Sequence, residues 1–419
     1  MARLILGKAC RKIGSGSTPR GGSSVYLEKG VALIRSQNVC NEGFSYDGLV
    51  HIDSVEAERL SNVEVASGDN LLNITGDSVA RTCQVPDDVL PARVNQHVAI
   101  VRPDHIILNP RFLHYHLVSP KMQMHMLNLA GSGATRKALT KEMIEAFEME
   151  TPSLHTQTTI ADHLGAFDDK IDVNSRISKS LESIARTIFK SWFVDFDPVR
   201  AKAEGKKPLG MDDETAALYP DSFEDTKLGE TPRGWRIGRL DDLLVLQRGF
   251  DLPVKARTPG KFPIISAGGE SGSHNEYKAK GPGVVVGRSG LLGGVFFVND
   301  EFWPLNTTLW IKEYKRSAPH HGYFLLQTID YESFNAGSAV PTLNRNHIHP
   351  MPAVLPPREL VEKFAEIAGP IFLTLRALRD QSLTLGDIRD TTLPKLLSGE
   401  IRIPISRDEE ADKSMVGAQ

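Results

Sequence analysis

The chain has 419 residues, a formal net charge of −3, and 40% apolar and 24% charged residues, which is an ordinary composition for a globular protein. It contains no run of 18 apolar residues and too short an apolar start for a signal peptide, which disfavours membrane-spanning and exported classes. Its three cysteines form no Cys-x-x-Cys pair, which indicates free thiols and a cytoplasmic location.

Residues 1–151 predict a first globular unit in which short strands alternate with loops rich in Gly, Asn and Ser. Segments 30–39, 69–80 and 95–103 predict strands, and segment 109–130 predicts a helix. Arg, Gln and Asn side chains cluster in the loops, and these side chains can make two hydrogen bonds to one base edge. The candidate DNA-binding residues here are Ser17, Arg20, Arg35, Gln37, Asn38, Arg81, Gln84, Arg136 and Lys137.

Residues 152–197 predict one long helix, because apolar residues recur at steps of three and four. Roughly 40 helical residues would span about 60 Å. Pro152 suits a helix start, and the Asp197-Pro198 pair suits a helix end. A helix of this length needs a partner for its apolar stripe. The predicted stripe residues are Ile160, Leu164, Phe167, Ile171, Leu181, Ile184, Ile188 and Trp192.

Residues 198–232 form an acidic, proline-containing linker, and residues 233–355 predict a second globular unit. In that unit, segments 262–277, 281–298 and 302–313 predict strands joined by turns, and segment 320–330 predicts a short helix. Arg288 lies on a predicted hairpin and is the strongest single candidate for a DNA contact. The candidate DNA-binding residues of this unit are Arg248, Ser271, His274, Asn275, Arg288, Ser289, Asn344 and Arg345.

Residues 356–404 predict a second long helix, and residues 405–419 predict a disordered tail. Its stripe residues would be Phe364, Ile371, Leu375, Leu385, Ile388 and Leu397. The Gly369-Pro370 pair interrupts the pattern, so we expect a short helix followed by a longer one.

An internal repeat relates the two halves of the chain. A shift of 204 residues aligns Gly133 with Gly337 and Pro152 with Pro356, without a gap over some sixty residues. Burial of about eight stripe residues per helix, at roughly 1.5–3 kcal/mol each, would far outweigh surface ion pairs. We therefore predict an α+β fold with a pseudo-two-fold tandem repeat, in which two α/β units are separated by two long helices packed as an antiparallel coiled coil.

Motifs for catalysis are missing from the sequence. The glycine-rich stretches 14–22 and 287–293 lack the sequence context of a phosphate loop or a dinucleotide fold. We find no Asn/Asp-Pro-Pro-aromatic motif, no nuclease carboxylate set, no nucleophile–base pair and no metal-ligand spacing. The sequence therefore predicts no catalytic residue, no metal ligand and no cofactor in this chain.

Four stretches resemble the specificity subunit of type I restriction–modification systems. They are SGSTP (15–19), ARTIFKSWFVDFDPV (185–199), LPKLLSGEIRI (393–403), and GPGVVVGRSGLLGGVFFV (281–298) with FWPLNTTLWI (302–311). The resemblance covers residues 1 to about 405 and implies that each globular unit is a target-recognition domain for one half of an asymmetric, bipartite DNA site. It also implies that the long helices set the spacing of the half-sites and dock two methyltransferase subunits.

In such a complex the methyltransferase subunits would carry S-adenosylmethionine and methylate adenine, and motor-nuclease subunits would join for restriction in phage defence. This chain would be non-catalytic. Two alternatives stay open: a recognition module for a different methyltransferase or phage-defence effector, and a coiled-coil scaffold with no role in DNA binding. Salt-sensitive binding to random duplex DNA would exclude the scaffold, and pull-down of a methyltransferase would separate the other two.

Overall fold

The computed structural model describes residues 2–131, 137–334 and 342–403. The chain divides into two compact units, Met1–Asp172 with Ser382–Gln419, and Val173–Gln381. Each unit therefore contains one globular part and about half of each long helix. Among the described residues, no helix combines the length and the apolar character that crossing a bilayer requires.

The first unit contains short strands, short helices and the beginning of a long helix. Its strands are β1 (Ala2–Ile5), β2 (Cys10–Ser15), β3 (Val31–Ile34), β4 (Val39–Cys40), β5 (Gly43–Phe44), β6 (Val50–Ile52), β7 (Glu64–Val65), β8 (Asn70–Asn73), β9 (Thr82–Gln84), β10 (Ala92–Val94), β11 (Val98–Pro103) and β12 (Glu148–Thr151). Its helices are α1 (Leu6–Ala9), α2 (Ser54–Arg59), α3 (Pro110–Val118), α4 (Pro120–Gly131), α5 (Lys141–Glu145) and the start of α6 (Leu154–Phe193).

Two four-stranded sheets, ordered β2-β11-β8-β9 and β6-β3-β10-β7, form the body of the first unit. Apolar side chains of both sheets, including Leu33, Leu71 and Ile100, share one buried core. Each segment predicted as a strand contains one, but segment 30–39 is divided into β3 and β4 by a turn at Ser36–Asn38, and in segment 69–80 only Asn70–Asn73 is a strand. The predicted helix 109–130 is split into α3 and α4. Pro120 explains the break, because proline disfavours the helical conformation in the residue before it.

The second unit repeats this composition. Its helices are α7 (Asp197–Ala203), α8 (Asp213–Ala217), α9 (Leu240–Leu243), α10 (Pro319–Gln327), α11 (Arg345–Ile348) and the start of α12 (Arg358–Ser398). Its strands are β13 (Phe223–Thr226), β14 (Gly229–Pro232), β15 (Arg236–Arg239), β16 (Leu244–Arg248), β17 (Phe262–Ser266), β18 (Gly269–His274), β19 (Gly283–Gly287), β20 (Val295–Val298), β21 (Trp303–Pro304), β22 (Thr308–Tyr314) and β23 (Pro352–Leu355).

The repeat extends to the order and register of the main sheets. The sheet β16-β22-β19-β20 matches the order β2-β11-β8-β9. Ala99 of β11 lies opposite Ser15 on one side and Leu72 on the other. A single bridge also recurs, joining Thr75 to Ala138 in the first unit.

The corresponding residue in β22 is Leu309, which lies opposite Arg248 and Val286. The corresponding bridge joins Ser289 to Thr342. The main sheets of the two globular parts therefore have the same strand arrangement, although the gapless 204-residue repeat covers only the end of each globular part and the helix that follows. The predicted tandem repeat of α/β units is confirmed at this level.

The long helices pack against each other in opposite directions. In the first unit, Ile160 and Leu164 near the start of α6 share a core with Leu393 and Leu396 near the end of α12. In the second unit, Phe189 and Trp192 near the end of α6 contact Phe364 near the start of α12, with ring centroids 5.8 and 6.3 Å apart. The antiparallel prediction is therefore confirmed.

The prediction of burial in the stripe is wrong for two residues. Ile184 is 50% exposed and Ile388 is 44% exposed, whereas the neighbouring Ala185 is buried. One helical residue turns the side chain by about 100°, so the stripe passes through Ala185 and leaves Ile184 outside. The stripe residues that are buried are Ile160, Leu164, Trp192 and Phe364, and those that are partly buried are Phe167, Ile171, Leu181, Ile188, Ile371, Leu375, Leu385 and Leu397.

The expected break at Gly369-Pro370 is also wrong, because α12 is continuous from Arg358 to Ser398. Proline in a helix removes a hydrogen bond and costs roughly 3 kcal/mol. Ala368 and Phe372 on either side of this turn are buried. Their packing holds the turn in the helical conformation despite the lost bond.

The segment predicted as an acidic linker is folded rather than extended. It contains α7, α8 and the hairpin of β13 and β14, and Val199 and Tyr219 are buried in the core of the second unit. This segment therefore belongs to the second unit. The predicted disordered tail, 405–419, lies outside the described residues.

We expect Phe364→Ala to lower the free energy of unfolding by about 3–5 kcal/mol, because it removes a buried ring from the core around α12. Leu373→Ala is the matched control on the same helix, since Leu373 is largely exposed and should change stability by less than about 0.5 kcal/mol. Urea unfolding followed by circular dichroism measures both. Equal losses for the two variants would contradict the packing described here.

Candidate nucleic-acid interface

In the second unit, two arginines flank the start of β22. Arg248 ends β16 opposite Leu309, and Arg288 directly follows β19, whose Gly287 lies opposite Thr308. The backbone N–H of Arg288 donates to the carbonyl of Thr307 at 2.8 Å. The strand register therefore brings these two predicted DNA-binding residues to one edge of the sheet.

The surroundings of the two guanidinium groups favour an anionic ligand. Arg288 is partly buried and donates from Nη1 to the carbonyl of Asn306 at 3.3 Å. Burial lowers the pKa of Arg288, and the positive charge of Arg248 lowers it further. Arg248 is exposed, with Asp251 at 3.8 Å. Two close arginines can bind phosphate oxygens, or the O6 and N7 acceptors of guanine.

The segment after the predicted hairpin lies at the same edge. Ser289 bridges to Thr342, and the N–H of Leu343 donates to the carbonyl of Arg288 at 2.8 Å. The next two residues are the predicted Asn344 and Arg345. Asn344 caps α11 through Asn346, and Arg345 is exposed.

The predicted candidates on β18 do not belong to this cluster. His274 is 6% exposed, and its Nδ1 lies 3.1 Å from both the N and the O of Thr258. The prediction of a DNA contact by His274 is therefore corrected to a structural role. Ser271 is partly buried, with its hydroxyl directed at the carbonyl of Ile264, and Asn275 is exposed after the strand.

In the first unit, predicted candidates lie beside the ends of β2, β3 and β10, which belong to two different sheets. The N–H of Ser17 donates to the carbonyl of Val94 at 3.0 Å, and Arg20 is exposed three residues later. Arg35 follows β3 and donates to the carbonyl of Gly48 at 2.5 Å. Gln37 is exposed and directs its amide at the same loop.

Asn38 does not reach the surface. It is fully buried, and its Nδ2 donates to the carbonyls of Ser45 at 2.9 Å and Asp47 at 3.2 Å. We therefore correct this DNA-binding prediction: Asn38 shapes the loop that Arg35 and Gln37 contact.

Of the remaining candidates of the first unit, some lie near the strand-end edge and others do not. Arg81 is exposed, and its carbonyl accepts from the N–H of Asn73 at the end of β8, which places it at the edge. Lys137 is exposed, and its carbonyl accepts from Gly76 in the same region. Gln84 lies opposite Asn70, at the other end of the strand pair. Arg136 lies outside the described residues.

Sequence reasoning missed the turn before the central strand. Gln96 is exposed and His97 is partly exposed before β11, and Asn306 and Thr307 occupy the corresponding positions before β22. His97 Nδ1 lies 2.7 Å from the hydroxyl of Thr75. In both halves, two or three polar residues come immediately before an apolar strand. This pattern could have predicted the turn, but it is visible only when the strands of the two halves are aligned.

The comparisons with known proteins agree with this architecture. A family model described as the type I restriction modification DNA specificity domain matches residues 67–183. The MjaIX specificity subunit of Methanocaldococcus jannaschii is 26% identical over 75% of this chain and 74% of its own length. The HindI specificity subunit of Haemophilus influenzae is 24% identical over 88% of this chain and 94% of its own.

A solved structure supports the fold separately. The type I restriction–modification S subunit from M. genitalium matches with a TM-score of 0.54 at 14% identity, covering 94% of this chain and 95% of that one. The fold thus defines a chain of two similar globular units, each completed by side chains of both long helices. Together with the sequence matches, it confirms the resemblance of this chain to the specificity subunits of type I restriction–modification systems.

We expect Asn38→Ala to lower the free energy of unfolding by about 1–3 kcal/mol, because it leaves the carbonyls of Ser45 and Asp47 without their donor. Gln37→Ala, at the exposed neighbouring position, should change stability by less than about 0.5 kcal/mol. Chemical denaturation of both variants is the measurement. A destabilised Gln37 variant beside an unaffected Asn38 variant would contradict the assignment.

Proposed function

We propose that this chain reads a bipartite, asymmetric DNA site, one half-site with the strand-end edge of each unit. As a specificity subunit it is not itself an enzyme, and the methyltransferase and nuclease of such complexes are other subunits. One observation carries the proposal: the two units share strand order and register but place different side chains at the same edge. Similar edges with different chemistry suit two half-sites of different sequence.

The difference between the edges is large at two positions. Where the second unit has Arg248 and Arg288, the strand register places Ser15 and Ile74 in the first unit. The second edge can therefore address guanine acceptors or phosphates with two cations, whereas the first edge relies on Arg35, on amide side chains and on hydroxyls.

The exposed apolar residues of the long helices support docking of partner subunits. Ile184 and Ile388 are related by the 204-residue repeat, and both are about half exposed. Val173 and Ile177 extend the exposed apolar surface of α6. Apolar residues at helical spacing are typical contact points for a partner helix. We propose that each of the repeat-related positions docks one methyltransferase subunit.

In this proposal the methyltransferase subunits bind S-adenosylmethionine and modify adenine at the site that this chain selects. Restriction subunits join the same complex, which acts in the cytoplasm. The paired helices α6 and α12 would set the number of base pairs between the half-sites.

We expect Arg288→Ala to weaken binding to the target site by about 1–3 kcal/mol if Arg288 reads guanine, with the loss confined to one half-site. A phosphate contact would instead weaken binding to every sequence and make the salt dependence shallower. Titration of labelled duplexes at several salt concentrations distinguishes these results. Lys312→Ala removes the same charge from an exposed position further along β22 and is the control. Unchanged affinity for every duplex would exclude Arg288 from the interface.

We expect Ile184→Glu combined with Ile388→Glu to abolish co-purification of the methyltransferase, because each substitution puts a charge on an apolar docking position. Ser183→Glu adds the same charge about 100° around the helix and is the control. The thermal midpoint of both variants should stay close to that of the parent chain. Co-purification of the double variant at the parent level would rule out these positions as docking sites.

A further inference from the structure

The globular part of the first unit contacts α6 through its helix α3, and the two helices approach closely. Arg111 of α3 lies over Gly165 of α6, where a Cβ would come within 2.4 Å of the Arg111 Cζ. The guanidinium donates to the Gly165 carbonyl at 3.0 Å and to Asp169 at 2.6 Å. Glycine inside a helix costs about 1 kcal/mol relative to alanine, and here it provides the space for the arginine.

One carboxylate beside this contact joins three helices of the first unit. Asp168 of α6 accepts from the hydroxyl of Tyr115 on α3 at 2.5 Å and from Nη1 of Arg389 on α12 at 2.6 Å. The side chains of Asp168 and Arg389 are only 26% and 21% exposed. A sheltered carboxylate that accepts two hydrogen bonds fixes the relative orientation of the helices it joins, because these bonds require specific distances and angles.

The electrostatics agree with this geometry. Burial alone would lower the pKa of Arg389, but its hydrogen bond and charge interaction with Asp168 outweigh burial and raise the pKa. Burial and the nearby carboxylate raise the pKa of Tyr115, so its hydroxyl keeps the donating proton. The Arg389 guanidinium and the Tyr115 hydroxyl therefore both keep the protons that they donate near neutral pH.

The second unit makes the same contact with different chemistry. Gly369 corresponds to Gly165 and faces His320, with a Cβ-to-Cε1 distance of 3.8 Å. The position of Asp168 is taken by Phe372, which contacts Phe324 of α10 at 6.0 Å between centroids. The positions of Tyr115 and Arg389 are taken by Phe324 and Ala185. A polar contact in one unit thus corresponds to an aromatic one in the other.

We propose that Asp168 is a positioning residue, which orients the first recognition edge on the helix pair and thereby sharpens selectivity for the first half-site alone. The inference rests on the proposed function. Without the charge of Asp168, Arg389 keeps its ion pair with the exposed Asp390 at 2.7 Å. Its Nη1 loses the sheltered carboxylate, and weakening a partly buried pair in this way is unfavourable. The aromatic contact of the second unit is unaffected, because it lacks any such charge.

The test compares Asp168→Asn with Phe372→Leu in the full chain bound to its methyltransferase. Binding is measured to duplexes with single base-pair changes in either half-site, and the thermal midpoint reports folding. The first half-site is identified as the one that stays unchanged when residues 236–352 are replaced by those of a relative. Asp168→Asn should reduce discrimination in the first half-site about fivefold or more, from an ordinary range of roughly 5- to 150-fold per wrong base pair.

In the Asp168→Asn variant, discrimination in the second half-site should remain at the parent level. The Phe372→Leu variant should retain discrimination at both half-sites, since apolar contacts can repack. Full discrimination at both half-sites in a folded Asp168→Asn variant, or equal loss at both, would overturn the proposal. Absence of discrimination in the parent complex would instead contradict the proposed function itself.

A triple substitution distinguishes a positioning role of the Asp168 carboxylate from any other role. Asp168→Phe, Tyr115→Phe and Arg389→Ala together reproduce the side chains of the second unit at the corresponding positions. Apolar replacement of a whole sheltered ion network is often neutral or stabilising, so the triple variant should fold and recover first-half-site discrimination. A folded triple variant without recovery would contradict a positioning role.

Discussion

Burial of the seam between α6 and α12 is the constraint on which the rest of the structure depends. Neither helix could hold its apolar stripe in water alone, and each core is completed by side chains from both helices. In the first unit these are Ile160 and Leu164 with Leu393. In the second they are Phe189 and Phe364. Hydrophobic burial is the dominant favourable term in folding. Each globular part is therefore stabilised together with the halves of α6 and α12 in its own unit.

The same dependence explains why one scaffold can carry two different surfaces. Strand order and register are determined by buried residues and by backbone pairing, which the two units share. The residues that follow the strands lie outside the backbone pairing of the sheets, so their side chains can differ without changing strand order or register. Arg288 in one unit and Ile74 in the other occupy matching positions. In the proposed function, this separation of scaffold and edge is what allows one fold to read an asymmetric site.

Much of the fold could be predicted because helical periodicity and the internal repeat are local signals. The predictions that were wrong also have physical causes. The pattern did not distinguish the buried face at Ala185 from the exposed Ile184, since both lie within one wide apolar stripe. The break expected at Pro370 did not occur, because packing of the neighbouring Phe372 outweighs the local preference.

The candidate interface was predicted in part for similar reasons. Residue type identified Arg248 and Arg288, but type alone could not show that Asn38 and His274 are buried and hydrogen-bonded within the protein. The network around Asp168 joins residues more than 200 positions apart, so no local pattern could reveal it. Its detection required the tertiary structure.

The most direct test of the account is to replace residues 236–352 with the corresponding segment of a relative that has a different site. The hybrid would be expressed with its methyltransferase, and methylated sites would be mapped across a genome. We predict that one half-site changes to that of the donor while the other half-site and the spacing stay the same. Methylation in which both half-sites change, or neither changes, would contradict independent reading by the two units.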